Sequence, residues 1–354
     1  ARRLIEWNVN TVGNWSDQTF ATNNKTPYVR NMEGFPTTKK RIFRDFPDVF
    51  SAEYQEKSDA FAEQLLSSKD NPYLVGYFMN NEPGWAYIPE LNLAEQLLSQ
   101  DDGFASKDTL IRFLSEKYNK DLAAFNKAWE TNLDSFEQLN QPIRKAASFS
   151  VVAGEDLAAF SKLMLEEYIR VPAFAAKKID PNQLNLGIRW ASSTLKQKWR
   201  FGGSQYLDVF SMNNYSDDPE ERLDIAAEMS GDMPVLFGEF HHGAMEGGHP
   251  TYGTRWTSTE AKRAIAYRYY AEKAVTHPNS IGIHYFVFHD DPVLGRFDGE
   301  SFHQGFVTTA HKPYTDFVLG YKKANEGLYD VMLNKREPVE KYPDGMVKFI
   351  PMSF

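Results

Sequence analysis

At 354 residues, 42% hydrophobic and 14% aromatic, the chain can bury one large core, and its composition calls for no second domain of comparable size. A formal net charge of -9 lacks the basic excess of proteins that grip phosphate backbones, so nucleic acid is not an expected partner. Cysteine is absent, which removes disulfides, thiolate metal ligands and thiol nucleophiles, and apolar runs such as Ile281–Phe288 fall far short of the roughly 20 residues that span a bilayer.

The opening Arg2–Trp7 reads as the tail of a helix, and no signal peptide is visible before it. After it, short apolar runs alternate with longer amphipathic ones, the pattern of repeated βα units on a parallel sheet. Strands are expected at Asn10–Asn14 and Pro27–Asn31, then a helix at Ala52–Ser67 and a strand at Leu74–Asn80. Helices follow at Thr109–Lys120 and Asp156–Lys178, then strands at Leu184–Trp190 and Asp208–Asn214. The pattern closes with a helix at Glu220–Met229, a strand at Val235–Phe240, a helix at Thr259–Thr276 and a strand at Ile281–Phe288.

Seven strands leave a ring of eight one short. The expected fold class is therefore α/β, a (β/α)8 TIM barrel lacking its first strand. The chain would begin inside the first crossover helix of a longer protein, unless a C-terminal segment closes the gap. The expected domains are a catalytic barrel over 1–330, with 83–183 an elaborated helical insertion after the fourth strand, and a tail over 331–354. In that tail Met346-Val347-Lys348-Phe349-Ile350 alternates like a strand that packs on the barrel or opens another module. The stretch 240–259, rich in glycine, proline and histidine, reads as a loop shaping the catalytic face.

Hydrolysis of a glycosidic bond with retention needs two carboxyl groups about 5–5.5 Å apart, one protonated and one ionised. In a (β/α)8 barrel, residues just past strands far apart in sequence meet at one face. Two glutamates close apolar strands in the required way: Glu82 after Leu74–Asn80, and Glu239 within Val235–Phe240. A lone strand-end glutamate is ordinarily a solvated or salt-bridged surface residue. The pair, on what would be strands four and seven, carries the catalytic reading.

Here the sequence resembles clan A of the glycoside hydrolases, in which an Asn-Glu pair ends strand four and a lone Glu ends strand seven; Asn81-Glu82 and Glu239 match. The resemblance implies Glu82 as acid/base and Glu239 as nucleophile. It also places Asn81 against the sugar 2-hydroxyl, where its alternative role is a strand-end turn cap. More narrowly, Gly238-Glu239-Phe240-His241-His242-Gly243-Ala244, His284-Tyr285-Phe286, Asp290-Asp291-Pro292 and Gly295–Glu300 look like glycoside hydrolase family 50, the β-agarases. Asn10–Asp17 and Phe46–Phe50 match that family too, and Asn126–Trp129 resembles the family 42 β-galactosidases.

Three positions depart from the family 50 pattern: it has Trp where Tyr285 stands, Gln near Val287, and Leu where Pro83 follows the acid/base. The resemblance implies a retaining β-glycosidase acting on galactans such as agarose, by double displacement and without a cofactor. Another red-algal galactan, a β-galactoside, or a catalytically silent carbohydrate-binding barrel are the alternatives. It further implies an oligo- or polysaccharide partner and a secreted or periplasmic location.

Further site residues follow from position. Tyr215, after the expected strand Asp208–Asn214, is placed to donate its hydroxyl to Glu239, with core packing as the alternative. Trp15, Trp85, Trp190 and Trp256 fall at or after strand ends, and Trp190 and Trp15 are preferred as faces for stacking on sugar rings. Asn14 belongs with Trp15 to the matched segment; Asn14-Trp15-Ser16 and Asn24-Lys25-Thr26 also fit the short glycosylation pattern, which chance readily produces. His241 and His284 are placed to bond sugar hydroxyls or to be interior histidines, and Arg296 and Glu300 to bind substrate or to brace a charged loop. His241, His242 and His249 show no metal-ligand spacing with a mechanism, so no metal is expected.

Overall fold

The computed structural model describes residues 2–23, 25–194, 201–246 and 248–348. They divide into two compact units: Ala1–Arg30 with Pro72–Gly76 and Val209–Phe354, and Asn31–Asn71 with Tyr77–Asp208.

The first unit is built on the strand Val235–Phe240, flanked in parallel by Phe210–Asn213 and Ser280–Tyr285. All six residues of Val235–Phe240 are buried, as a parallel strand covered on both faces requires. The crossover helices are Glu220–Ser230 and Glu260–Thr276. The first stops at Gly231, whose φ of 75° lets its N–H turn back to the Ala227 carbonyl. The second starts where Thr259 accepts the Lys262 N–H, and it lays Tyr270 flat on Phe240 with ring centres 4.4 Å apart. Thr315–Glu326 packs beside that helix through Tyr267 and Tyr321, 4.3 Å apart.

Two expectations for this unit change. Asn10–Asn14 is not a strand: Val12 alone bridges to Tyr28, and the chain leaves the ladder when Trp15 takes a φ of 64°. The loop 240–259 holds two short strands, Gly243–Ala244 and Arg255–Thr257, and the tail strand Val347–Lys348 pairs antiparallel with the latter. Only glycine fits at 243, since a Cβ there would lie 1.7 Å from the Tyr252 carbonyl oxygen. Residues 349–354 and Gly247 of the expected tail and loop, and Asn24 of the second glycosylation pattern, lie outside the described residues.

The second unit is dominated by the helix Val151–Ile179, which buries Leu157, Phe160, Met164, Leu165 and Tyr168 along one face. Ala105–Lys117 and Leu122–Trp129 are tied to it at Asp156, a fully buried carboxylate that accepts from Lys117 Nζ, from the Tyr118 hydroxyl at 2.7 Å and from Trp129 Nε1 at 2.8 Å. A buried charge is tolerable only when so compensated. The helix expected from Thr109 begins at Ala105 because Asp48 accepts the N–H groups of Ala105 and Ser106, both at 2.8 Å. That cap comes from 57 residues upstream and leaves no local sequence signal.

The expected strand Leu184–Trp190 is broken in two, Leu184–Asn185 and Trp190–Ala191. Gly187 at φ 83° and Arg189 at φ 44° turn the backbone out of the extended conformation between them. Among the described residues, no helix is long and apolar enough to cross a membrane.

Candidate active site

Glu239 lies in the first unit, its side chain emerging near the end of Val235–Phe240 with 7% of its surface exposed. Trp15 Nε1 donates to Oε1 at 2.7 Å, and the Tyr215 hydroxyl donates to Oε2 at 2.6 Å. Each carboxylate oxygen therefore has a donor fixing its orientation. Tyr215 follows Phe210–Asn213, and its backbone is pinned because Asn214 N donates to the Glu239 carbonyl at 2.8 Å while Tyr270 exchanges hydrogen bonds with Asn214.

Behind Tyr215 stands His241, ring centres 4.8 Å apart. Its Nε2 accepts from the Thr254 N–H at 2.8 Å, so the ring is an interior histidine bracing Tyr215 and not an open sugar contact. Burial, then the charges of His242 and Arg263, push its pKa well below the ordinary 6.5. His284 is half-buried with its ring against Gly13, and Asn14 is half-buried beside Trp15 in the chain.

Tyr285 turns its hydroxyl inward, donating to the His242 carbonyl at 2.7 Å and accepting from Arg263 at 2.8 Å. Arg263 is itself fully buried, bound to Glu260 and lying 3.8 Å over the Phe317 ring. Arg296 grips Asp298 at 2.7 Å and Glu300 at 2.6 Å, which makes a braced charged loop. Burial raises the Glu300 pKa; Arg296 opposes the rise, and Asp298 and Asp291 add to it.

His242 gives a pH prediction. Burial, then Arg263 and Arg255, hold its pKa down to about 3. Between the ordinary 6.5 and about 3 the unfolded chain takes up a proton that the native one refuses, so stability falls as pH drops through that window, by about 1.4 kcal/mol per pH unit. Thermal melts of His242→Phe are expected to lose less between pH 6.5 and 4.5 than wild type, by about 2–3 kcal/mol. An unchanged slope contradicts this.

Glu82 lies in the second unit, in a left-handed conformation with φ 44°, and its N–H donates to the Arg189 carbonyl at 3.1 Å. The Tyr87 hydroxyl donates to its Oε2 at 2.5 Å. Next to it, the Asn81 amide oxygen accepts from Arg189 Nε at 3.0 Å and Nη2 at 2.6 Å, which settles which end of the amide is which. Arg189 is fully buried, with its guanidinium 5.1 Å over the Phe78 ring. Trp190, expected as a sugar platform, is 2% exposed and packs edge-on against Trp85 at 5.7 Å, so its faces are core. Trp85 is fully buried, whereas Trp15 keeps 51% exposure.

Arg189, Tyr87 and Thr254 escaped the sequence reading. Arg189 alone left a trace, as a cation inside the apolar run Gly187-Ile188-Arg189-Trp190, which a buried strand carries only with a partner. Among the described residues, no group of three or more His, Asp or Glu is arranged to hold a metal ion.

Parallel strands joined by helices make this an α/β fold, and comparison with known proteins identifies it as that of a glycoside hydrolase. The family 42 glycoside hydrolase model, described as β-galactosidase, matches residues 24–329, and the chain belongs to that family. It is 28% identical over 346 residues to β-agarase B of Vibrio sp. (strain JT0107), covering 94% of this chain and 36% of that protein. Among solved structures it is similar to an agarase, with 29% identity and a TM-score of 0.84 over 93% of this chain and 48% of that one. An exo-β-agarase gives 27% identity and a TM-score of 0.83, over 94% of this chain and 47% of that one. The chain thus spans about a third of the curated relative's length and about half of these solved chains.

Proposed function

We propose that the chain is the catalytic part of a retaining β-glycosidase that cleaves β-linked galactans such as agarose, on a (β/α)8 barrel. The observation that carries this is Glu239, a strand-end carboxylate with a fixed donor on each oxygen. In the first step a Glu239 oxygen bonds to the anomeric carbon as the glycosidic bond breaks, and Glu82 passes its proton to the departing oxygen. In the second, water adds to that carbon, Glu82 takes its proton, and the glycosyl–Glu239 bond breaks. This requires both carboxyl groups to serve one bond, from opposite faces of the sugar.

Asn81, its amide oxygen committed to Arg189, turns N–H donors to the 2-hydroxyl, a contact that strengthens as positive charge grows on the ring. Galactans are favoured because the chain is similar to β-agarases and itself matches a β-galactosidase family model, and a neutral galactan suits a chain of net charge -9. A polymer of this kind does not enter a cell intact, so the proposed activity goes with a secreted or periplasmic location.

The test is a product assay on agarose, porphyran, carrageenan and aryl β-galactosides side by side, with proton NMR of the first-formed anomer. Release of the β-anomer from agarose is expected. First appearance of the α-anomer, or no release from any of the four, overturns the proposal.

A further inference from the structure

Trp15 combines a left-handed backbone with a half-exposed side chain. Its φ of 64° is one a bulky L-residue adopts at a cost of about 1–3 kcal/mol, and half of its surface stays exposed. What the conformation delivers is the indole N–H, 2.7 Å from Glu239 Oε1. The donor thus reaches a carboxylate 224 positions away in the chain.

We propose that Trp15 is a positioning residue that speeds the breakdown of the glycosyl-enzyme, by receiving the negative charge that returns to Glu239; this rests on Glu239 being the nucleophile. During glycosylation the carboxylate spends its charge in the new bond to the anomeric carbon, and the indole hydrogen bond weakens. In deglycosylation the oxygen of water bonds to that carbon and Glu82 takes the proton. The electron pair of the ester bond goes back to Glu239. Charge then reappears at a site where the N–H is already in place, and a preorganised donor lowers the barrier most where charge develops. Tyr215 on Oε2 is braced by His241 and Asn214, so the carboxylate departs into two fixed donors. A stacking platform, by contrast, would act on sugar binding in both steps alike.

Trp15→Phe keeps an aromatic face and removes the donor. With 2,4-dinitrophenyl β-galactoside, whose leaving group makes the second step limiting, kcat is expected to fall about tenfold or more, the loss of one hydrogen bond to a charged group. KM should fall with it and kcat/KM stay near wild type. Intact mass after acid quench, during turnover of this glycoside or of agarose, should show a larger fraction of chain carrying a sugar. A drop in kcat/KM with kcat preserved would make Trp15 a sugar wall and overturn the proposal, as would unchanged kcat and covalent fraction. Trp15→His, which restores a ring N–H, is expected to recover part of the rate, and a histidine variant as slow as the phenylalanine one counts against it. Trp15→Leu serves as the donor deletion if Trp15→Phe fails to fold. Glu239→Ala is run alongside: if it turns over normally the nucleophile assignment fails, whatever the Trp15 variants do.

Discussion

Glu82→Ala is expected to lower turnover of agarose by about 10³-fold while sparing glycosylation by 2,4-dinitrophenyl β-galactoside, because only the natural leaving oxygen needs a proton. The second step then limits the dinitrophenyl substrate, since no base is left to activate water. Azide, which needs no base, should accelerate it and yield the β-galactosyl azide. Glu82 is suited to this role by how it is held. Its backbone is fixed at φ 44° by the Arg189 carbonyl, and its Oε2 is held by Tyr87. Both contacts lie in one unit. Equal losses on the two substrates, with no azide effect, would remove Glu82 from the acid/base role.

How far the sequence reveals this molecule depends on whether the determining contact is local. Val235–Phe240 is legible to the residue because an uninterrupted apolar run has no polar face to place elsewhere. The helix ending at Thr276 is nearly so, because Thr259 is a local cap. Asn10–Asn14 and Leu184–Trp190 read as strands and are not continuous ones, since Trp15 and Arg189 take left-handed backbone conformations that their residue types do not announce. The start of Ala105–Lys117 is set by Asp48, from outside any local window.

The candidate site divides in the same way. A glutamate closing an apolar strand is visible from the residues alone. Which groups hold it is not: Trp15, which reads as a stacking face, directs its N–H at Glu239, while Trp190, which reads as one too, is covered by Trp85. Aromatic residues near strand ends serve core and site equally well by composition, and only the fold decides which faces remain open.

Glu239→Ala carries the largest expected loss. Without the nucleophile no glycosyl-enzyme forms, and turnover of agarose and of the dinitrophenyl glycoside should fall by about 10⁵-fold or more. The cavity left by the carboxylate then admits a small anion, which attacks the anomeric carbon in a single displacement. The decisive measurement is the configuration of the azide adduct formed by Glu239→Ala from 2,4-dinitrophenyl β-galactoside. The α-galactosyl azide is predicted; near-normal hydrolysis without azide, or a β-azide, would contradict Glu239 as the nucleophile.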